Sequence, residues 1–304
     1  MVGLERTFDE ERPDLVVVVG DVNSTLAASI VAAKAGVPLA HVEAGLRSFD
    51  LTMPEEINRM VTDRLSSLLL TPSRDADENL LREGCPPERI HFVGNVMIDT
   101  LIAHRPLAPW DEVRTSLGLD ERGYAVLTLH RPANVDGAES LSRVLEALEV
   151  VGRELPIVFP VHPRTARRLN DYGLLGRASF LRITEPLGYL EFLALMDHAA
   201  CVLTDSGGIQ EETTVLGVPC FTLRDNTERP VTVTEGTNTL VGSDGRGLAE
   251  AFAEFLSSGG KRGRVPERWD GRAAVRVAEV LSAFLANGGS PVAPACRAAP
   301  RTGM

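Results

Sequence analysis

The sequence predicts an α/β fold of two doubly wound domains, the first of them incomplete. Short β-branched or apolar runs alternate with single helical stretches along most of the 304 residues. That alternation implies parallel strands joined by right-handed crossovers. The strand-like runs are apolar almost throughout, as in a sheet covered on both faces. A Pro-rich passage, "AHRPLAPW", interrupts the alternation, so the domains are expected to meet near residues 95–122.

In the first domain, "DLVVVVG" (14–20), "VPLAHVE" (37–43), "LLLT" (68–71) and "IHFVG" (90–94) read as strands. The helical patterns "NSTLAASIVAAKAG", "PEEINRMVTDRLS" and "RDADENLLREG" lie between them. A mononucleotide-binding half opens with a strand and a Gly-rich turn, and neither stands before residue 14. The domain therefore reads as short. Missing central strands would expose sheet edges, which predicts poor solubility for this domain alone. In the second domain the strands are "YAVLTLH" (124–130), "PIVFPVH" (156–162), "FLRIT" (180–184), "CVLT" (201–204) and "VPCFTL" (218–223). The expected division is 1–105 for the partial first domain and 106–286 for the second, with a disordered tail at 287–304.

The 31 basic and 42 acidic residues give a net charge of −11, which argues against non-specific nucleic-acid binding. An anionic ligand must then be held by helix N-termini and individual cationic side chains. Four cysteines without regular spacing read as incidental thiols. The charged N-terminus does not resemble a signal peptide, and no apolar stretch reaches membrane-spanning length. The expected setting is cytoplasmic, with no membrane partner.

In open parallel sheets ligands collect beyond the carboxyl ends of the strands. Five predicted strands end in polar groups: Asp21, Glu43, His130, His162 and Asp205–Ser206. Taken singly, Asp21 could cap the helix that follows, Glu55 and Glu56 could serve a helix dipole, and either histidine could belong to the core. Glu43 precedes Ala44–Gly45 and is poorly explained as a cap. "HRP" and "HPR" set Arg131 and Arg164 beside the two histidines, a repetition that suggests anion contact. Asp75 and Asp77 form a DxD but fall in a helical first turn, where acidic decoration is the simpler reading.

"TDSGGIQEE" carries the strongest local signal. A strand and a turn lead into a helix whose first N–H groups point outward, and Gly207 and Gly208 would let a phosphate touch the backbone. Glu212, one turn further on, could accept hydrogen bonds from ribose hydroxyls. The pattern suits a nucleoside diphosphate. GxGxxG, GxxxxGK[ST] and HExxH are all absent, so no nicotinamide, other cofactor or metal is expected.

In order from about Pro13 to Gly242, "GDVNSTLA", "HVEAGLRSFD", "MPEEINR", "TLHRPANVD", "PVHPRT", "LTDSGGIQEE" and "NTERPVT" resemble the non-hydrolysing UDP-N-acetylglucosamine 2-epimerases. The resemblance implies two Rossmann-like domains, as in B-type glycosyltransferases, and a cytoplasmic homodimer that interconverts UDP-N-acetylglucosamine and UDP-N-acetylmannosamine for surface polysaccharides. It implies catalytic roles for Asp21, Glu43 and Glu55, and a role for His130 at the diphosphate that helps UDP depart. It further implies that Ser206, Gly207 and Gly208 hold the diphosphate and Glu212 the ribose, with Phe192 and main chain near Leu187 addressing uracil. Arg229 would complete the nucleotide site, and His162 would lie near an activator site. The family's opening strand and its GTRPEAIKMAPL-like motif, with roughly two following βα units and the activator-site glutamines, have no counterpart here. The chain is therefore expected to be N-terminally truncated or to lack part of its cleft.

C2 of this sugar is not adjacent to a ring carbonyl, so simple deprotonation is difficult. Loss of UDP from C1 together with C2–H gives a 2-acetamidoglucal; protonation from the opposite face and re-addition of UDP completes the inversion. Two other readings are a UDP-sugar glycosyltransferase and an inactive nucleotide-sugar-binding fragment.

Overall fold

The computed structural model describes residues 1–289, and the expected tail lies outside them from residue 290 onward. The chain divides into two compact units: residues 1–95 with the stretch beginning at Arg272, and Val96–Gly271. This moves both expected boundaries. The helix Val96–His104 buries Ile98 and Leu101 in the same core as Leu193 and Trp269, which ties it to the second unit. The helix Ala273–Ala286 belongs to the first unit, where Arg276 Nη1 donates to the carbonyl of Val93 at 3.0 Å.

The first unit holds a parallel four-stranded sheet, β1 (Val16–Val19), β2 (Leu39–Val42), β3 (Leu68–Thr71) and β4 (Ile90–Phe92), in that spatial order. β2 and β3 are buried at every residue, as their apolar runs predict. β1 departs from that expectation: it is an edge strand, and Val17 and Val19 stand 44% and 52% exposed. The N-terminal stretch Val2–Glu11 is a helix with no buried residue, although Phe8 packs partly against Val18, Ala32 and Leu39.

The second unit holds a parallel six-stranded sheet: β5 (Ala125–Thr128), β6 (Ile157–Pro160), β7 (Leu181–Thr184), β8 (Cys201–Thr204), β9 (Cys220–Thr222) and β10 (Asn238–Leu240). Its spatial order is β10-β9-β8-β5-β6-β7. The chain runs outward from β5 through β7, then returns to the other side of β5 and runs outward through β10. β10, three residues long and only partly apolar, gave no strand signal in the sequence. The reversal between β5 and β8 creates the topological switch point at which such sheets bind ligands.

Candidate active site

β5 and β8 are in register through Thr128 and Thr204, whose hydroxyls meet at 2.7 Å. Beyond β8 the chain delivers Asp205, fully buried, against the residues that follow β5. Its carboxylate accepts the main-chain N–H groups of His130 and Arg131, at 3.1 and 2.9 Å, and the side-chain amide of Asn134 at 3.1 Å. Oδ1 also lies 2.9 Å from His130 Nδ1, while the His130 side chain is 47% exposed. Burial pushes the Asp205 carboxyl up, but the His130 ring and these N–H donors outweigh it and hold the group below its usual range. A carboxylate at Nδ1 fixes the proton there and orients Nε2 away from it. Sequence reasoning noted Asp205 as a strand end but gave it no role.

Ser206 stands at the N-cap of the helix Gly207–Leu216 and makes no side-chain capping bond. The two glycines differ in what requires them. A Cβ on Gly207 would lie 2.5 Å from Arg229 Nη1 and 2.6 Å from Glu228 Oε1; one on Gly208 would meet the flexible end of Met97 at 3.0 Å. Gly207 thus makes room for a buried ion pair, a use the sequence did not suggest. Arg229 is 8% exposed, 2.7 Å from Glu211 and 2.5 Å from Glu228. Glu228 also takes Arg224 at 2.7 Å and lies 3.6 Å from Arg131. Burial raises the Glu228 carboxyl, yet these cations, Arg229 first, drive it far below its usual range. Arg229 braces the glycine turn from inside the fold.

Glu212 is buried in the same helix, and Tyr189 Oη donates to its Oε1 at 3.2 Å. Burial raises the Glu212 carboxyl, only partly offset by that hydrogen bond. Leu187 and Phe192 are partly buried against the core of this unit. His162 is exposed and caps the helix Pro163–Asp171 by accepting the N–H of Arg164 at 3.2 Å. The Arg164 guanidinium forks onto Asp136. It is therefore engaged with a neighbouring carboxylate, as Arg131 is with the Asp205 carbonyl at 2.8 Å and with Glu228 at 3.6 Å.

In the first unit Asp21 and Glu43 leave the adjacent strands β1 and β2. Glu43 has φ 70°, a left-handed conformation uncommon for a residue with a Cβ, and its Oε2 would lie 3.9 Å from a Cβ on Gly20. Both residues thus follow the ends of neighbouring strands. Asp21 is not a helix cap: Val22 takes that position, and Asp21 pairs with the guanidinium of Arg59. Arg59, 2% exposed, also donates to Glu56 Oε2 at 2.6 Å. Asn58 Nδ2 holds the Asp21 carbonyl at 2.7 Å. The "PEEINR" motif divides its acids: Glu56 is buried and accepts the N–H groups of Ser48 and Phe49 at 3.0 and 2.8 Å, whereas Glu55 is exposed. Burial raises Glu56, but these N–H donors and Arg59 bring it below its usual range. Asp75 and Asp77 fall in the first turn of the helix Arg74–Arg82, and no cluster suited to a metal occurs among the described residues.

The family model described as UDP-N-acetylglucosamine 2-epimerase matches residues 1–282. The chain belongs to the UDP-N-acetylglucosamine 2-epimerase family. A UDP-N-acetylglucosamine 2-epimerase of Methanocaldococcus jannaschii is 44% identical over 291 residues, which span 93% of this chain and 79% of that protein. The crystal structure of an M. jannaschii UDP-GlcNAc 2-epimerase in complex with UDP-GlcNAc and UDP aligns with a TM-score of 0.82 at 43% identity, covering 92% of this chain and 79% of that one. A UDP-2,3-diacetamido-2,3-dideoxy-D-glucuronate 2-epimerase of Pseudomonas aeruginosa is 42% identical over 249 residues, 80% of this chain and 68% of that protein. Membership of the 2-epimerase family bears out the resemblance drawn from the seven motifs and, with it, the fold of two Rossmann-like units.

Proposed function

We propose that this chain inverts C2 of UDP-N-acetylglucosamine, giving UDP-N-acetylmannosamine, by elimination and re-addition of UDP. The observation that supports the reading is that Asp21 and Glu43 follow the adjacent strands β1 and β2, with Glu43 Oε2 3.9 Å from where a Cβ on Gly20 would stand. Inversion needs one group to take the C2 proton and another to return a proton to the opposite face, and Asp21, Glu43 and Glu55 divide that work. As C2–H is removed, its electron pair forms the C1–C2 double bond and the C1–O bond breaks, releasing UDP with the bonding pair. Return of a proton to C2 and attack of a diphosphate oxygen on C1 complete the turnover.

The second unit serves the leaving group. His130, with Nδ1–H donated to Asp205, presents Nε2 to the diphosphate, to which the imidazolium form donates a hydrogen bond. Ser206, Gly207 and Gly208 offer the helix start to its phosphates. Glu212 receives the ribose hydroxyls, and Phe192 with the main chain near Leu187 receives uracil. Arg229 acts through the glycine turn it supports. Donors at the departing diphosphate stabilise the charge that develops there, often the largest catalytic term.

Incubation with UDP-N-acetylglucosamine in heavy water, without acceptor, tests the reading. Both epimers should appear, with deuterium at C2. Transfer of sugar to an added acceptor without C2 exchange would instead indicate a glycosyltransferase, and UDP binding without turnover a non-catalytic fragment. No helix among the described residues is long and apolar enough to cross a membrane. The cytoplasmic setting, the homodimer and a role on routes to surface polysaccharide belong to the same proposal; sedimentation equilibrium checks the dimer.

A further inference from the structure

His41, in the middle of β2, is fully buried and has no role in the chemistry described above. Both of its ring nitrogens face oxygen. Nδ1 lies 2.6 Å from Asp63 Oδ1, and Nε2 lies 2.9 Å from the main-chain carbonyl of Gly20. A carbonyl can only accept, so Nε2 must carry a proton. Asp63 is an acceptor as well. Its Oδ2 takes the N–H of Gly45 at 3.1 Å and faces Arg47 Nη1 at 2.7 Å. With the Gly45 N–H and the Arg47 guanidinium both on Oδ2, the group is a carboxylate. Nδ1 must then carry a proton too.

We propose that His41 is held as an imidazolium in the sheet interior, and that it is a positioning residue fixing the Gly20–Asp21 turn for proton transfer. The charge balance agrees. Arg47 divides its guanidinium between Asp63 and Glu83, the latter through bonds of 2.7 Å from Nε and Nη2. With His41 charged, the cluster of His41, Asp63, Arg47 and Glu83 sums to zero, and Glu83 is its one member that meets solvent, with a side chain 36% exposed. Cys85 also lies in the field of Asp63, and burial pushes its thiol up, so it stays neutral. Arg64 also acts on Cys85, and Arg59 pairs with Asp21 at the end of β1, beside Glu43 at the end of β2.

The link to catalysis runs through one peptide group. Gly20 has φ 68° and leads directly into Asp21. Its N–H is held by Val42 at 3.1 Å and its carbonyl by His41, so β2 fixes the turn at both ends. The catalytic consequence rests on the reading of Asp21 and Glu43 as proton carriers; the charge state of His41 does not.

Two measurements on the full 304-residue chain separate these parts. Long-range ¹H–¹⁵N spectra of histidine-labelled protein should show both His41 nitrogens protonated at about pH 7. A neutral tautomer at pH 7 overturns the proposal, whatever the activity. His41→Gln keeps a donor for Gly20 but removes the charge. It should lower kcat about 10- to 100-fold, the loss of one charge-assisted contact, with the Michaelis constant for UDP-N-acetylglucosamine within about twofold and a shifted pH–rate profile. Wild-type kcat and pH profile in that variant overturn the positioning role. If the wild-type chain gives no C2 exchange, the epimerase reading fails while the spectra still decide the charge.

Discussion

Asp205 Oδ1 lies 2.9 Å from His130 Nδ1, and the same carboxylate accepts the main-chain N–H of the histidine it orients. The end of β8 thus fixes both the backbone and the ring of the residue that follows β5. His130→Ala should lower kcat by about two to four orders of magnitude, the usual share of a positioned acid–base group, and cost the fold only about 1 kcal/mol, because Asp205 keeps its main-chain and Asn134 donors. Asp205→Asn should lower kcat as well, and should also destabilise the fold by about 2–4 kcal/mol, since an amide cannot satisfy the three N–H donors that converge there. Steady-state kinetics beside thermal melts distinguish the two variants.

Gly207 and Gly208 should separate stability from binding. Gly207→Ala forces a Cβ into the Arg229–Glu228 ion pair and should cost about 2–3 kcal/mol. Gly208→Ala displaces only the end of Met97 and should melt within about 2 °C of the parent. If a phosphate rests on that helix start, Gly208→Ala still weakens UDP binding about tenfold or more, the loss of one charge-assisted contact. Calorimetric titration with UDP measures it.

Adjacent glutamates should behave oppositely. Glu56→Gln removes the acceptor shared by Ser48, Phe49 and Arg59 and should lower stability by about 2–3 kcal/mol. Glu55→Gln, on the exposed side of the same turn, should melt like the parent while C2 exchange falls at least about 100-fold. Glu43→Gln should also abolish deuterium incorporation; near-normal exchange in it would exclude Glu43 from proton transfer.

Two carboxylates predict opposite pH effects. Asp205 is held low in the folded state, so its stabilisation is present above its unfolded pKa and disappears as pH falls through the folded value. Glu212 is held high, so it destabilises the fold once pH rises above its unfolded pKa, and the penalty is complete above the folded value. Glu212→Gln should therefore raise the melting temperature at pH 8, lose that gain near pH 4, and weaken UDP binding. Parallel melts at both pH values with UDP titrations provide the check.

Strand positions were legible in the sequence because buried parallel strands are apolar runs, and all nine expected strands occur. Seven ordered motifs identified the family. Periodicity was silent about β10, whose three residues are too few to show an alternation, and about the return of the helix Ala273–Ala286 to the first unit, which depends on what that helix covers. Local sequence determined which residues end the strands, because that follows from where an apolar run stops. Only tertiary structure decided their partners: Asp205 with His130, Arg59 with Asp21, and His41 between Asp63 and Gly20. Those pairs are 75, 38, 22 and 21 residues apart. No local pattern encodes such distances; strand order and helix packing bring the groups together, and burial then makes each pairing strong.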